Sequence, residues 1–182
     1  MPRCCQHRKN LLNQIYRYAL EYDILQKDYS KFCKITKEDD EHGVPFTMND
    51  INQLWTAAGS VPYADTILIM IYSGWRIGEL LTLEEINLKE GYFRGSIKTR
   101  ASKHRIIPIH PKIADMVKIR SQSGWINISY QAYMKEFIKA LTAAGITDKH
   151  PPHDCRHTFA PLLNNAGANP VSVKLCFYVT SR

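Results

Sequence analysis

The sequence predicts an α+β fold that is mainly α-helical, with a small antiparallel β-sheet. Three observations point there. Apolar residues recur at three- and four-residue intervals through most of the chain, the spacing of amphipathic helices. One region only, Tyr92 to Ile109, carries strand-like runs broken by a polar turn. At 182 residues, 45% of them apolar, the chain can bury one good core with a small appended piece.

The elements follow in order. Residues 8–25 form an amphipathic helix, with Leu11, Leu12, Ile15, Ala19, Tyr22 and Leu25 on one stripe and Arg8, Lys9, Arg17 and Glu21 between them. The polar stretch Lys37 to Gly43, closed by Pro45, is a linker. A helix before a linker cannot be a domain, so residues 1–35 read as the last piece of a first domain. Residues 36–46 are the linker, and 47–182 the main domain. Thr47 caps the next helix, with Asp50 at the capping-box spacing. Another helix starts near Pro62 and stops at Gly74, a C′ residue, and Ile77 to Leu81 begin one more helical turn. Tyr92–Lys98 and Arg105–Ile109 are strands around the turn Thr99 to Lys103. Helices near 112–121 and 130–144 follow, the second ended by Gly145. A further helix starts after Pro151-Pro152 and ends at Gly167, although Pro161 removes one of its backbone hydrogen bonds and would kink it. A last helix opens at Asn169-Pro170. Tyr63, Tyr72 and Tyr133 lie on apolar stripes and read as core.

Charge and cysteine usage narrow the function. The net charge is +7 with no basic tail, so the folded surface itself favours a polyanion. A lipid surface is the weaker partner, because no apolar run approaches the roughly 20 residues of a membrane span. Five scattered cysteines without a C-x-x-C pair fit reduced thiols in a cytoplasmic protein. No phosphate-binding glycine loop and no carboxylate cluster suited to magnesium are present.

Two segments carry the chemistry. Ser73-Gly74-Trp75-Arg76-Ile77-Gly78-Glu79-Leu80 sets an arginine just past a glycine break, and His153-Asp154-Cys155-Arg156-His157 sets a histidine and an arginine three residues apart on one helix face. Lys98 lies between them on the hairpin. These four side chains can hold a phosphodiester and move protons around it without a metal. Each also has a plainer reading. Arg76 with Glu79 is alone an ordinary i,i+3 surface pair, and Lys98, Arg100, Lys103, His104 and Arg105 alone are a charged turn. His153 and His157 stand at a zinc-compatible i,i+4 spacing, but no third ligand has suitable spacing.

SGWRIGELLTL, KTRASKHRIIPI and PHDCRHTFA, in that order and at these separations, resemble the catalytic domain of the tyrosine recombinases found as phage and transposon integrases. The likeness spans about residues 47–175, and the helix at 8–25 resembles the end of that family's core-binding domain. The resemblance implies cutting and rejoining of double-stranded DNA through a 3′-phosphotyrosine, with neither metal nor cofactor. It implies Arg76 and Arg156 on the phosphate, His153 as proton shuttle and Lys98 as donor to the departing 5′ oxygen. Arg100, Lys103, His104 and Arg105 would contact DNA. Two departures stand out. The family continues to a Leu-Gly-His segment and a nucleophilic tyrosine, whereas Cys176 to Arg182 abandon that pattern and Tyr178 comes too early for the nucleophile. The expectation is an incomplete and inactive form, or a DNA-binding remnant that competes with or regulates an intact integrase. Because the family exchanges its C-terminal segment between protomers of a tetramer on DNA, a monomer in solution is expected.

Overall fold

The computed structural model describes residues 2–32, 43–95 and 105–169, and the chain divides into two compact units, Met1–His42 and Gly43–Arg182. The first unit holds α1 (Pro2–Glu21) and a 3-10 turn at Ser30–Phe32. The helix starts earlier and stops sooner than its apolar spacing predicts. Asp23 adopts a left-handed φ of 53°, and the Ile24 amide folds back onto the Ala19 carbonyl at 2.8 Å. Of the expected stripe Ala19 is buried, while Leu11, Ile15 and Tyr22 are exposed.

In the second unit, α2 (Met48–Ala57) opens on the expected capping box. Thr47 Oγ1 accepts from the Asp50 amide at 3.2 Å, and Asp50 Oδ2 accepts from the Thr47 amide at 2.8 Å. Its stripe Ile51, Leu54 and Ala57 is buried. The central element is α3 (Ala64–Ser73), whose residues 66–71 are all buried. Such all-round apolarity marks a helix covered on every side; α3 packs against α2, the later α5 (Ala114–Gln122) and α6 (Tyr130–Ala143), and α7 (His153–Asn165). Between α3 and α5 come the short α4 (Ile77–Leu80) and an antiparallel sheet of β1 (Glu85–Asn87), β2 (Tyr92–Gly95) and β3 (Arg105–Pro108), in that spatial order. Phe93 faces Ile107 across β2 and β3, and both are buried.

A few polar bonds tie the layers. Thr66 on α3 and Tyr133 on α6 share a buried hydroxyl pair at 2.6 Å. Trp125 donates from Nε1 to the Leu80 carbonyl at 2.9 Å, and Arg120 grips Asp65 through Nε and Nη2 while lying over the Tyr63 ring. Tyr133 is fully buried; Tyr63 and Tyr72 pack partly buried against the core. The motif helix α7 runs through Pro161 to Asn165. The helix expected from Asn169-Pro170, and Tyr178, lie outside the described residues. None of the described helices is long and apolar enough to cross a membrane.

Candidate functional site

The site is built on the end of α3. Gly74 closes that helix at φ +66°, its amide donating to the Met70 carbonyl at 2.8 Å. A left-handed φ already favours glycine, and a second demand falls on the same residue. A Cβ there would collide with Cδ1 of Phe159, so α3 and α7 touch backbone to ring. Across this contact Arg156 Nη1 donates to the Gly74 carbonyl at 2.6 Å, joining segments 82 residues apart. Arg156 is buried. The second arginine segment is thereby pinned to the backbone two residues before Arg76.

Arg76 stands at the N-cap of α4 with its side chain 45% exposed, so it can meet a ligand. Its Nη1 donates to Glu79 Oε1 at 2.8 Å, and its own amide donates to Glu79 Oε2 at 3.3 Å. The i,i+3 pair that reads as superficial in the sequence is therefore half-sunk, because Glu79 is buried. Glu79 also meets Arg105, whose Nη1 lies 3.4 Å from Oε2. Arg105, which the resemblance puts among the residues contacting DNA, is buried, with its guanidinium 4.9 Å from the centre of the Trp75 ring.

His153 opens α7 and is exposed. Its pKa lies below the ordinary 6.5, first through loss of surrounding water and then through the positive charges of its neighbours His157, Arg76 and Arg156; Asp154 opposes them weakly. Both arginines thus act on one imidazole, placing three of the four predicted groups in a single electrostatic neighbourhood. The His153 and His157 rings meet edge to face at 4.7 Å. No group of three or more metal-ligating side chains occurs among the described residues. Beneath these rings the inner face of α7 is locked. His150 Nδ1 lies 3.0 Å from Asp154 Oδ2, both groups buried, and the His150 ring stacks on Phe46 at 4.1 Å. Thr158 accepts from the Phe46 amide at 2.9 Å and donates to the Asp154 carbonyl at 2.7 Å.

Residues 45–176 match the model of the phage integrase family. The chain belongs to that family. Among solved structures, the Tn1549 transposon integrase in complex with a circular intermediate DNA is 19% identical at a TM-score of 0.74, over 97% of this chain and 71% of that one. A lambda integrase dimer bound to a COC′ core site is 15% identical at 0.70, over 92% and 68%. XerA recombinase is 16% identical at 0.60, over 94% and 66%. At these identities the likeness is one of fold, a mainly helical tyrosine-recombinase architecture with a small antiparallel sheet. The search of curated proteins returned no match.

Arg76, His153 and Arg156 are thus brought together on the integrase fold. Lys98, Arg100, Lys103 and His104 lie outside the described residues, in the segment joining Gly95 to Arg105, which are paired across β2 and β3. Sequence reasoning missed two features. The double engagement of Glu79 depends on Arg105, 26 residues away, and no local spacing announces it. The His150–Asp154 pair does have a signal, an i,i+4 histidine and carboxylate at a helix start, but nothing local announces that both groups are buried or that Phe46 stacks on His150.

Proposed function

We propose that this integrase-family chain binds double-stranded DNA and grips one phosphodiester with Arg76 and Arg156. His153 would handle protons at the non-bridging oxygens, and Lys98 would face the departing 5′ oxygen. The Arg156–Gly74 hydrogen bond carries this reading: it fastens two arginine segments of distant sequence to one backbone carbonyl. In attack on phosphorus, negative charge grows on the non-bridging oxygens, and fixed guanidiniums stabilise it without reorganising. A permanently charged planar fork suits that task better than a lysine. The depressed pKa of His153 keeps its imidazole neutral near pH 7 and able to accept a proton. In a complete reaction a tyrosine hydroxyl passes its proton to His153 as its oxygen bonds to phosphorus, the bond to the 5′ oxygen breaks, and that oxygen takes a proton from Lys98.

We further infer that residues 1–182 bind without cleaving, because residues 176–182 lack the Gly-His step and Tyr178 precedes the place of a nucleophile. The DNA-bound Tn1549 and lambda integrases of similar fold support the choice of ligand. Lambda integrase is seen as a tetramer on a Holliday junction, whereas we expect a monomer of this chain in free solution. Incubation with nicked suicide duplexes, followed by denaturing electrophoresis and a binding titration, tests both halves. The expected result is salt-sensitive binding with no covalent adduct. An adduct at Tyr178 would refute the inactivity, and absence of binding at low salt would refute the phosphate site.

A further inference from the structure

Glu79 presents its two oxygens to three donors: the Arg76 amide, Arg76 Nη1 and Arg105 Nη1. The carboxylate and the Arg105 side chain are 7% and 4% exposed, whereas Arg76 is 45% exposed. The trio carries two positive charges and one negative. With Arg105 absent, Glu79 and Arg76 would form a closed neutral pair, and a phosphate arriving at Arg76 would compete with a fully committed carboxylate. A buried charge left with a single partner also holds that partner harder, because little water screens it. Arg105 is itself immobilised. Its guanidinium lies over Trp75, whose ring is fully buried and approaches Gly95, the residue opposite Arg105 in the sheet; a Cβ on Gly95 would stand 3.1 Å from that ring.

We propose that Arg105 is a positioning residue of the phosphate site: by taking up part of the charge of Glu79 it orients Arg76 and leaves the pocket one net positive charge, without touching DNA itself. The inference rests on the phosphate-site reading above and adds to it a residue that acts through another. It also assigns the base of the β2–β3 hairpin, from which the Lys98 segment departs, a link to Arg76.

The test is the dependence of duplex-DNA affinity on salt, measured on the full chain by fluorescence anisotropy, since each phosphate contact contributes about 0.9 to the slope of log K against log salt. Arg76→Met should lower the slope by about 0.9. Arg105→Met should lower it by nearly as much, and the double variant should fall no further. Glu79→Gln added to Arg105→Met should restore most of the slope, because the carboxylate that neutralises Arg76 is gone; it also removes the unpaired buried charge that could unfold the single variant. Arg105→Lys should keep the slope near wild type. Additive losses for Arg76→Met and Arg105→Met, without recovery in Glu79→Gln/Arg105→Met, would mean direct contact and overturn the proposal. So would a wild-type slope in Arg105→Met. If wild type itself shows no salt-dependent binding, the phosphate site fails first, a result distinct from either of these.

Discussion

Thr66 and Tyr133 allow one stability prediction to be worked through from geometry. The Thr66 hydroxyl donates its only proton to the Tyr63 carbonyl at 2.7 Å, so in the 2.6 Å contact Tyr133 must be the donor. Burial raises the Tyr133 pKa far above its ordinary 10, which keeps that proton in place at every relevant pH. Tyr133→Phe then removes one neutral hydrogen bond and leaves Thr66 donating as before, a cost of about 1 kcal/mol. Thr66→Val is nearly isosteric but leaves the Tyr133 hydroxyl buried with nothing to accept its proton, about 2–3 kcal/mol. The Tyr63 carbonyl is not orphaned, since it still accepts from the amides of Thr66 and Ile67. Thr66→Val/Tyr133→Phe should therefore be less destabilised than Thr66→Val alone, near 1–2 kcal/mol. Urea titration by circular dichroism resolves this ordering, and in thermal melts each kcal/mol corresponds to roughly 2–4 °C. Equal costs for the two single variants, or a double variant at their sum, would refute the assignment of donor and acceptor.

Further outcomes follow from the site. The imidazole of His153, followed by NMR, should titrate below 6.5, and Arg76→Met should move it upward, as should added inorganic phosphate. Because the unfolded chain takes up that proton near 6.5 and the folded chain only at lower pH, the His153 contribution to stability is intact above 6.5 and is lost as pH falls through the window beneath it. His153→Asn should flatten that slope; an unchanged one would exclude His153 as its source. Arg156→Met should cost about 2 kcal/mol through loss of the charged hydrogen bond to Gly74, and should also weaken DNA binding. Wild-type affinity in a folded Arg156→Met protein would reduce Arg156 to a strut.

Local signals in the sequence were reliable where the physics is local. Thr47 with Asp50 forms the capping box, Gly74 and Gly145 end helices in left-handed conformations, and His153 begins the motif helix. The strand β1 gave no warning: Glu85–Asn87 is three residues long, uniformly half-buried, and paired with β2. Only tertiary packing tells that Arg105 is buried while Arg76 is not, since both sit among charged and apolar neighbours in the sequence. The same holds for Glu79, a surface-like residue in the segment Ser73–Leu80 that the fold encloses between two guanidiniums.

Phe46 has a practical consequence for shortening the protein. Its ring is 4% exposed and roofs the His150–Asp154 pair, while its amide satisfies Thr158. A fragment begun at Thr47 would keep a complete helix cap yet wet the floor beneath the motif histidines. Trimming should stop short of Gly43, whose bare backbone is also what makes room for the His157 ring.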